Sequence, residues 1–345
     1  MGMDLLSLPY DEIAALVADM GYPAFRAKQL RGWVVKGTPV EEMRNLPRDF
    51  REKLIERGCH VTLPRIVRKL ISQIDGTVKY LFALSDGQLI ESVVMKYKHG
   101  NTICVSCQAG CRMGCRFCAS TLRGLTRNLA PSEILGQVMA AQNDLGERIA
   151  NIVMMGIGEP LDNYDNVVKF LRLVNDPEGL NISLRNISLS TCGLVPRMYD
   201  FAGEGLPVTL SLSLHAPNDE IRRQIMPVAN AYSFEEVLAT CKHYVEKTGR
   251  RVIFEYALIR NLNSDLRCAD ELARRLRGLR CHVNLIPLND VKERKLEAPS
   301  RRDVDAFLKR LELKHISATI RREMGADIEG ACGQLRRKVL SREQD

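Results

Sequence analysis

The chain has 345 residues, 45% of them apolar and 27% charged, which is the make-up of a globular protein rather than a disordered one and is long enough for a barrel-sized core with an accessory unit. Eleven cysteines, an odd number in a long chain with no apolar leader ahead of the fold, argue against a disulfide scaffold and for a reducing, cytoplasmic setting. The formal charge of +8 admits a phosphate-bearing partner, whereas no run approaches the ~18 apolar residues of a membrane span, so no membrane contact is expected.

In chain order, residues 1–60 read as a helical unit. Ile13, Leu16, Val17 and Met20 recur at helical spacing and stop at Gly21; Phe25, Leu30, Trp33 and Val34 form a second stripe that ends at Gly37. A third helix follows Pro47, with Phe50 and Leu54 on one face and Gly58 at its end. Residues 61–100 change character. Ile74, Val78, Tyr80, Phe82 and Leu84, then 89–94 after Asp86-Gly87, suggest a β-hairpin that acts as a connector.

Residues 101–320 alternate short apolar runs with helical periodicity, which argues for parallel βα units in a full or partial barrel. The expected strands are 102–105, 151–155, 186–190, 207–213, 252–256, 282–286 and 316–320. Helices are expected at 132–144, 164–174, 233–247 and 303–311, with Ser132 and Ser233 as N-caps. In such a barrel the reactive groups lie at the carboxyl ends of strands. Four polar motifs meet that test: Gly156-Ile157-Gly158-Glu159-Pro160, Ser190-Thr191-Cys192-Gly193, Ser213-Leu214-His215 and Pro287-Leu288-Asn289. Any one of them is a common turn or cap, but four at equivalent positions favour a shared pocket. Glycines let backbone approach a ligand closely, and Glu159 can accept a hydrogen bond from an amino group.

The most specific pattern is Cys111-Arg-Met-Gly-Cys115-Arg-Phe-Cys118, which follows an expected strand. Three thiolates at this spacing hold three corners of a 4Fe-4S cube and leave one iron open to a substrate, whereas electron-transfer clusters take four cysteines. In radical S-adenosylmethionine (SAM) enzymes that open iron is chelated by SAM. A zinc site is the second reading, although zinc favours paired CxxC units with further ligands about a dozen residues on. Cys59, Cys241, Cys268 and Cys281 lack partners at ligand spacing and read as structural. Among the basic clusters, those within 274–280 read as a surface stripe. Arg26, Lys28 and Arg31 and the arginines flanking the cysteine run are candidates for contact with a phosphate-bearing partner.

Several longer stretches resemble the RlmN/Cfr family of radical-SAM RNA adenine methyltransferases. These are Cys104-Val-Ser-Cys107-Gln-Ala-Gly-Cys111 through Arg127-Asn128-Leu129, Gly156 to Leu161, Ser213 to Asp219, Gly325 to Leu335, and the amino-terminal Phe25-Arg-Ala-Lys-Gln29. The likeness covers nearly the whole chain, and its most specific element is the pair Cys104 and Cys332 outside the cluster motif. It implies an α/β fold, a radical-SAM (β/α)6-type partial barrel over 101–320. To this it adds an N-terminal helical accessory domain over 1–60 that binds RNA, a small β connector over 61–100, and a C-terminal segment, 321–345, carrying a methyl-accepting cysteine.

It further implies one 4Fe-4S cluster held by Cys111, Cys115 and Cys118, two SAM molecules per turnover, and SAM binding by Gly158, Glu159, Ser190, Ser213, Leu214, His215 and Asn289. Cys332 would carry the methyl group, a 5′-deoxyadenosyl radical would activate it, and Cys104 would resolve the adduct through a transient disulfide, with Cys104 or Glu91 removing the ring proton. The implied substrates are 23S rRNA and tRNA, methylated on carbon 2 of adenosine 2503 and adenosine 37. A reducing donor such as flavodoxin is implied, and no stable protein partner. The alternatives are methylation of carbon 8 of the same rRNA adenosine, as in the Cfr branch, and a non-catalytic zinc-bearing RNA-binding module. Departures from the family pattern are Cys107 where Ser is usual, Ile157 for Met, Asp290 after Asn289 where Pro is common, and the loop 291–298.

Overall fold

The computed structural model describes residues 2–288 and 296–328; Asn289 and Cys332 lie outside them. The amino-terminal unit runs β1 (Met3–Asp4), α1 (Tyr10–Asp19), α2 (Phe25–Val34), α3 (Arg48–Glu56) and β2 (Cys59–His60), with β1 and β2 paired in parallel. Ile13, Val17, Ala27, Leu30, Val34, Phe50 and Leu54 are buried and share one continuous core with the rest of the molecule. The helical stripes read from the sequence therefore face inward, except Phe25, which stands at the first position of α2 and is 56% exposed. Arg31 fastens this unit to the barrel. It is 2% exposed, pairs with Asp176 and donates to the Leu8 carbonyl at 3.3 Å, so it does not belong to an RNA surface as its charge alone suggests. Arg26 and Lys28 do remain partly or fully exposed.

Next come β3 (Arg65–Ile71), β4 (Val78–Ala83), β5 (Leu89–Tyr97) and β6 (Gly100–Cys104). β4 and β5 pair antiparallel across the Asp86-Gly87 turn, β5 pairs antiparallel with β6, and β3 adds an outer strand to β4. The sequence reading leaves β3 unassigned because its charged, exposed residues show no apolar alternation. Charge is how an edge strand avoids pairing with other chains. Ile74 lies in the β3–β4 turn and is 72% exposed, not at a strand start.

Two short strands follow, β7 (Gln108–Gly110) and β8 (Leu125–Asn128), and then the alternating series: α4 (Pro131–Leu145), β9 (Ile149–Met154), α5 (Tyr164–Val174), β10 (Ile187–Thr191), α6 (Val195–Gly203), β11 (Thr209–Ser213), α7 (Asp219–Ile225), α8 (Phe234–Thr248), β12 (Val252–Leu258), α9 (Leu266–Leu276), β13 (Cys281–Pro287), α10 (Arg301–Leu313) and β14 (Ala318–Ile320). Strands β6, β9, β10, β11, β12, β13 and β14 pair in parallel in that order, and the ribbon β5-β4-β3 continues the same ten-stranded sheet. Sequential strands are neighbours throughout, as expected of βα crossovers of one hand. Ser233 caps α8 by accepting from the Glu236 N–H at 3.3 Å. Ser132 does not cap α4. That helix starts at Pro131, whose missing N–H is no loss in a first turn, and the Glu133 carboxylate accepts from the Ala130 N–H at 2.9 Å. Among the described residues, no helix is long and apolar enough to cross a membrane.

Successive strand residues face opposite sides. Leu189, Leu210, Leu212 and Phe254 point into the core shared with the helices. Their neighbours therefore line the other, inner face, where the site is built.

Candidate active site

The cysteine loop is tied at its base. β7 and β8 pair antiparallel, Ala109 opposite Arg127 and Gly110 opposite Leu125, and the Cys111 N–H donates to the Gly124 carbonyl at 2.9 Å. Gly110 has φ +90°, and a Cβ there would sit 2.1 Å from the Gly124 oxygen, so no other residue fits the neck of the loop. At the far side the Arg116 N–H donates to the Ile225 carbonyl at 2.9 Å. Asp162 accepts from Arg112 Nε at 3.0 Å and from Gln108 Nε2 at 2.9 Å. Asn163 donates to the carbonyls of Cys107 and Leu129, each at 2.8 Å. These two residues follow the Gly158-Glu159-Pro160 turn and clamp the loop onto β9. Sequence reading missed them because Asp and Asn after a turn look like ordinary helix caps.

Within the loop, Cys111 and Cys115 are buried and Cys118 is half-buried. Burial pushes the Cys111 thiol up to about 12, with Cys118 adding to it; burial and then Cys118 and Cys111 raise Cys115. Thiols raised in this way would give up their protons to cationic irons as a cluster loads. Three thiols of one loop, close enough to raise one another's pKa, suit the corners of a 4Fe-4S cube. Among the described residues, no group of three His, Cys, Asp or Glu side chains is placed to hold a single metal ion.

The expected SAM-binding groups gather beside this loop. Gly158 has φ +114°, and a Cβ there would lie 2.7 Å from Gln108 Cβ and 2.9 Å from the Cys107 sulfur. Glu159 is 4% exposed; one oxygen accepts from the Leu161 N–H at 3.0 Å and the other from the Cys192 N–H at 2.8 Å. Burial raises its pKa and those N–H bonds oppose the rise. Ser190 and Ser213 sit on the inner face of β10 and β11 with their hydroxyls 3.5 Å apart. Leu214 is different: its side chain is buried in the core, and its carbonyl accepts from Arg222 Nε at 3.3 Å, so only its backbone borders the site.

His215 takes a left-handed φ of +54°, and its Nδ1 accepts from the Ala257 N–H at 2.9 Å. Burial drives the imidazole pKa down to about 3. The ring is therefore neutral with its proton on Nε2, a donor beside the cluster loop, where Phe117 packs edge-on at 4.5 Å.

Three further groups escaped the sequence reading. Arg222 is fully buried, donates to the carbonyls of Cys192 at 2.6 Å and Ser213 at 3.3 Å, and so ties the ends of β10 and β11 together. Glu255 lies opposite Ser213 in register and accepts from Asn284 Nδ2 at 3.0 Å; its second oxygen and the neighbouring Ser211 hydroxyl find no partner among the described residues. Strand register reveals Glu255 and Ser211, each a polar residue among apolar neighbours, and packing reveals Arg222, which in the sequence looks like any charged residue of a surface helix.

At the antiparallel end, Cys104 is opposite Val93 on β5 and Val153 on β9, which puts it on the inner face with Glu91, two residues before Val93. Glu91 is no solvated strand end. It is 2% exposed and pairs with the equally buried Lys79 at 3.2 Å. Its backbone is pinned as well: Ser106 donates to the Glu91 carbonyl at 2.7 Å, and Gln137 of α4 accepts from the Ser106 N–H at 2.9 Å and the Ser92 hydroxyl at 2.8 Å. Cys104 shares a small core with Val93 and Met95, against which Met324 packs. Met324 belongs to the segment after β14, so that segment reaches the cluster that holds Cys104.

A partial barrel of parallel βα units with a CxxxCxxC loop behind its first strand, and polar turns at the ends of the next strands, defines a radical SAM enzyme, whose cofactors are SAM and a 4Fe-4S cluster. Residues 105–268 match the model of the radical SAM superfamily, and residues 3–59 match that of the ribosomal RNA large subunit methyltransferase N-terminal domain. A probable dual-specificity RNA methyltransferase RlmN of Lachnospira eligens is 51% identical over 98% of this chain and 97% of its own. One of the same description from Alkaliphilus oremlandii is 53% identical over 98% of each. The crystal structure of a radical SAM methyltransferase from Sphaerobacter thermophilus superposes with a TM-score of 0.91 at 43% identity, covering 96% of this chain and 98% of that one. The chain belongs to the RlmN family of radical SAM RNA methyltransferases, and this membership sets aside the non-catalytic zinc-bearing module.

Proposed function

We propose that the enzyme methylates carbon 2 of adenosine 2503 in 23S rRNA and of adenosine 37 in tRNAs through an S-methyl group on Cys332, using two SAM molecules per turnover and electrons from a flavodoxin-type donor. The observation that carries this reading is a second sulfur, Cys104, set apart from the cluster loop on the inner face beside Glu91, in a small core against which Met324, eight residues before Cys332, packs. Adenine carbon 2 has no lone pair, so it cannot displace the methyl of SAM directly. The bound cluster supplies the electron that opens SAM and so makes hydrogen abstraction available.

The protein's own groups do the rest. Cys332 takes a methyl from the first SAM by thiolate attack, which requires its sulfur deprotonated. Glu159, Ser190, Ser213 and His215 bind and orient SAM, His215 as a neutral donor, and Asn289 joins them from outside the described residues. Once the methylene carbon is bonded to the ring, the adduct radical gives one electron back to the redox system that supplied it, and Glu91 or Cys104 removes the proton from carbon 2. The Cys104 thiolate then attacks the sulfur of Cys332: a disulfide forms, the carbon–sulfur bond breaks with its electron pair on carbon, and that carbon takes up a proton to become the product methyl. Cytosolic thiols reduce the disulfide for the next cycle. The adenine has to be turned out of its stack to reach this depth, and exposed Arg26 and Lys28 with Arg65 and Arg68 on β3 give the RNA backbone a basic surface. Such substrates place the work in the cytoplasm.

The test is anaerobic turnover on 23S rRNA fragments. Wild type should place the methyl on carbon 2, Cys332→Ala should give no methylated RNA, and Cys104→Ala should accumulate a covalent protein–RNA adduct. A methyl on carbon 8 would move the assignment to the other branch of the family; methylated RNA from Cys332→Ala would overturn it.

A further inference from the structure

The segment after β14 does not simply trail off the barrel. Gly325 turns with φ +65°, and its N–H donates to Asp75 Oδ2 at 2.9 Å. Two residues on, Asp327 accepts from the Ser72 hydroxyl at 2.6 Å and from the Gln73 N–H at 2.8 Å. The receiving turn is itself braced: Ser72 Oγ accepts from the N–H of Ile74 at 3.2 Å and of Asp75 at 3.3 Å, and Asp75 Oδ1 accepts from the Thr77 N–H at 3.0 Å. A Cβ on Gly325 would touch Thr77 and Ile328 at 3.1 Å, so the two strands of chain are in close contact. Both carboxylates are held ionised. Burial pushes Asp75 up, but the Gly325 N–H and the Thr77 bonds outweigh it and leave it at about 2, and the Ser72 hydroxyl lowers Asp327. None of these groups touches the cluster loop or the SAM-binding turns, and nothing in the chemistry above uses them.

We propose that Ser72, Asp75 and Asp327 form a clasp that positions the methyl-carrying segment: they fix Gly325–Ile328 against the β3–β4 turn, with Met324 packed on the cluster that holds Cys104, and so set how closely Cys332 is tethered to its resolving partner. The inference rests on the reading of Cys332 and Cys104 given above. Cys332 is four residues beyond Ile328, and four residues span at most about 14 Å, so the clasp sets the length of chain between the last held residue and Cys332. With Asp327 released, the nearest held residue becomes Gly325, still bonded to Asp75, and the tether lengthens from four residues to seven. Effective concentration falls as about the three-halves power of tether length, so the Cys104–Cys332 encounter should weaken about twofold.

Asp327 is exposed and Ser72 contributes one hydroxyl, so Asp327→Ala and Ser72→Ala should fold normally. The experiment equilibrates each anaerobic protein with glutathione disulfide and glutathione; two protein thiols become one disulfide as glutathione disulfide is reduced to two glutathiones. The Cys104–Cys332 bond is quantified by peptide mapping. Asp327→Ala should lower the disulfide equilibrium constant about twofold, Ser72→Ala by no more than that and the double variant no further, and methyladenine formed per SAM cleaved should fall in step while the rate of SAM cleavage holds. An unchanged disulfide equilibrium in Asp327→Ala would overturn the clasp. If wild-type Cys332 never acquired a methyl group, the methyl-carrier reading would fail, while the disulfide equilibrium would still decide the clasp.

Discussion

The buried pair Lys79–Glu91 offers a quantitative test of what the inner face is built for. Both side chains are at most 1% exposed and their charges lie 3.2 Å apart. At an effective dielectric of 20 that separation corresponds to an attraction of about 5 kcal/mol before desolvation. Removing either partner takes the closest opposite charge away from a buried ion, at a cost of about 3–5 kcal/mol. Replacing both with apolar residues of similar size costs far less, because the desolvation of both charges is relieved as well. Lys79→Met and Glu91→Met should therefore each destabilise the protein by about 3–5 kcal/mol, and the double variant by no more than about 1–2, a coupling on the order of 3 kcal/mol or more. Anaerobic denaturant titrations followed by circular dichroism measure this. The double variant should regain stability and remain inactive in methyl transfer if Glu91 takes the ring proton as proposed. Additive losses would refute the coupling of the two charges, and an active double variant would remove Glu91 from the reaction.

Burial holds the His215 pKa near 3 against about 6.5 in the unfolded chain. Between those values the unfolded state binds the extra proton, so stability is complete above about pH 6.5 and falls as pH drops towards 3, by about 1.4 kcal/mol per unit. His215→Asn tolerates the left-handed backbone and should abolish that slope in denaturant midpoints taken from pH 4 to 7; parallel curves would contradict the neutral-ring account. Gly110→Ala forces a Cβ against the Gly124 carbonyl; it should cost about 1–3 kcal/mol and lower iron per chain after reconstitution, and full loading would show the neck of the loop to be adaptable. Reversing the charge of Arg26 and Lys28 should weaken RNA binding and flatten its dependence on salt by about 0.7–0.9 for each phosphate no longer neutralised, with SAM cleavage unaffected; an unchanged salt slope would place the RNA elsewhere.

The regular part of this molecule was readable from its pattern. The seven parallel strands fall within a few residues of their apolar runs, because a strand buried between helices and an inner face must be apolar on one side and short, and α5 occupies the span its periodicity indicates. β3 was not readable, since a charged edge strand is recognised only by the strand it pairs with. Nor was the fate of Arg31: three basic residues at helical spacing look alike in a sequence, and only packing shows that one turns inward to Asp176 while two face solvent. Cysteine spacing carried the cluster, yet Lys79, Gln137, Asp162, Arg222 and Glu255 stayed hidden because each acts through a partner 12 to 54 residues away in the chain. The clasp was equally silent. Ser72 and Asp327 are 255 positions apart.

The central claim is that the methyl group travels through the sulfur of Cys332 and loses a hydrogen on the way. Wild-type enzyme given SAM with a trideuterated methyl, after several turnovers on 23S rRNA, should yield 2-methyladenosine carrying two deuterium atoms in the new methyl, and Cys332→Ala should yield none. A methyl that arrives with all three deuterium atoms, or appears in RNA treated with Cys332→Ala, would contradict the account.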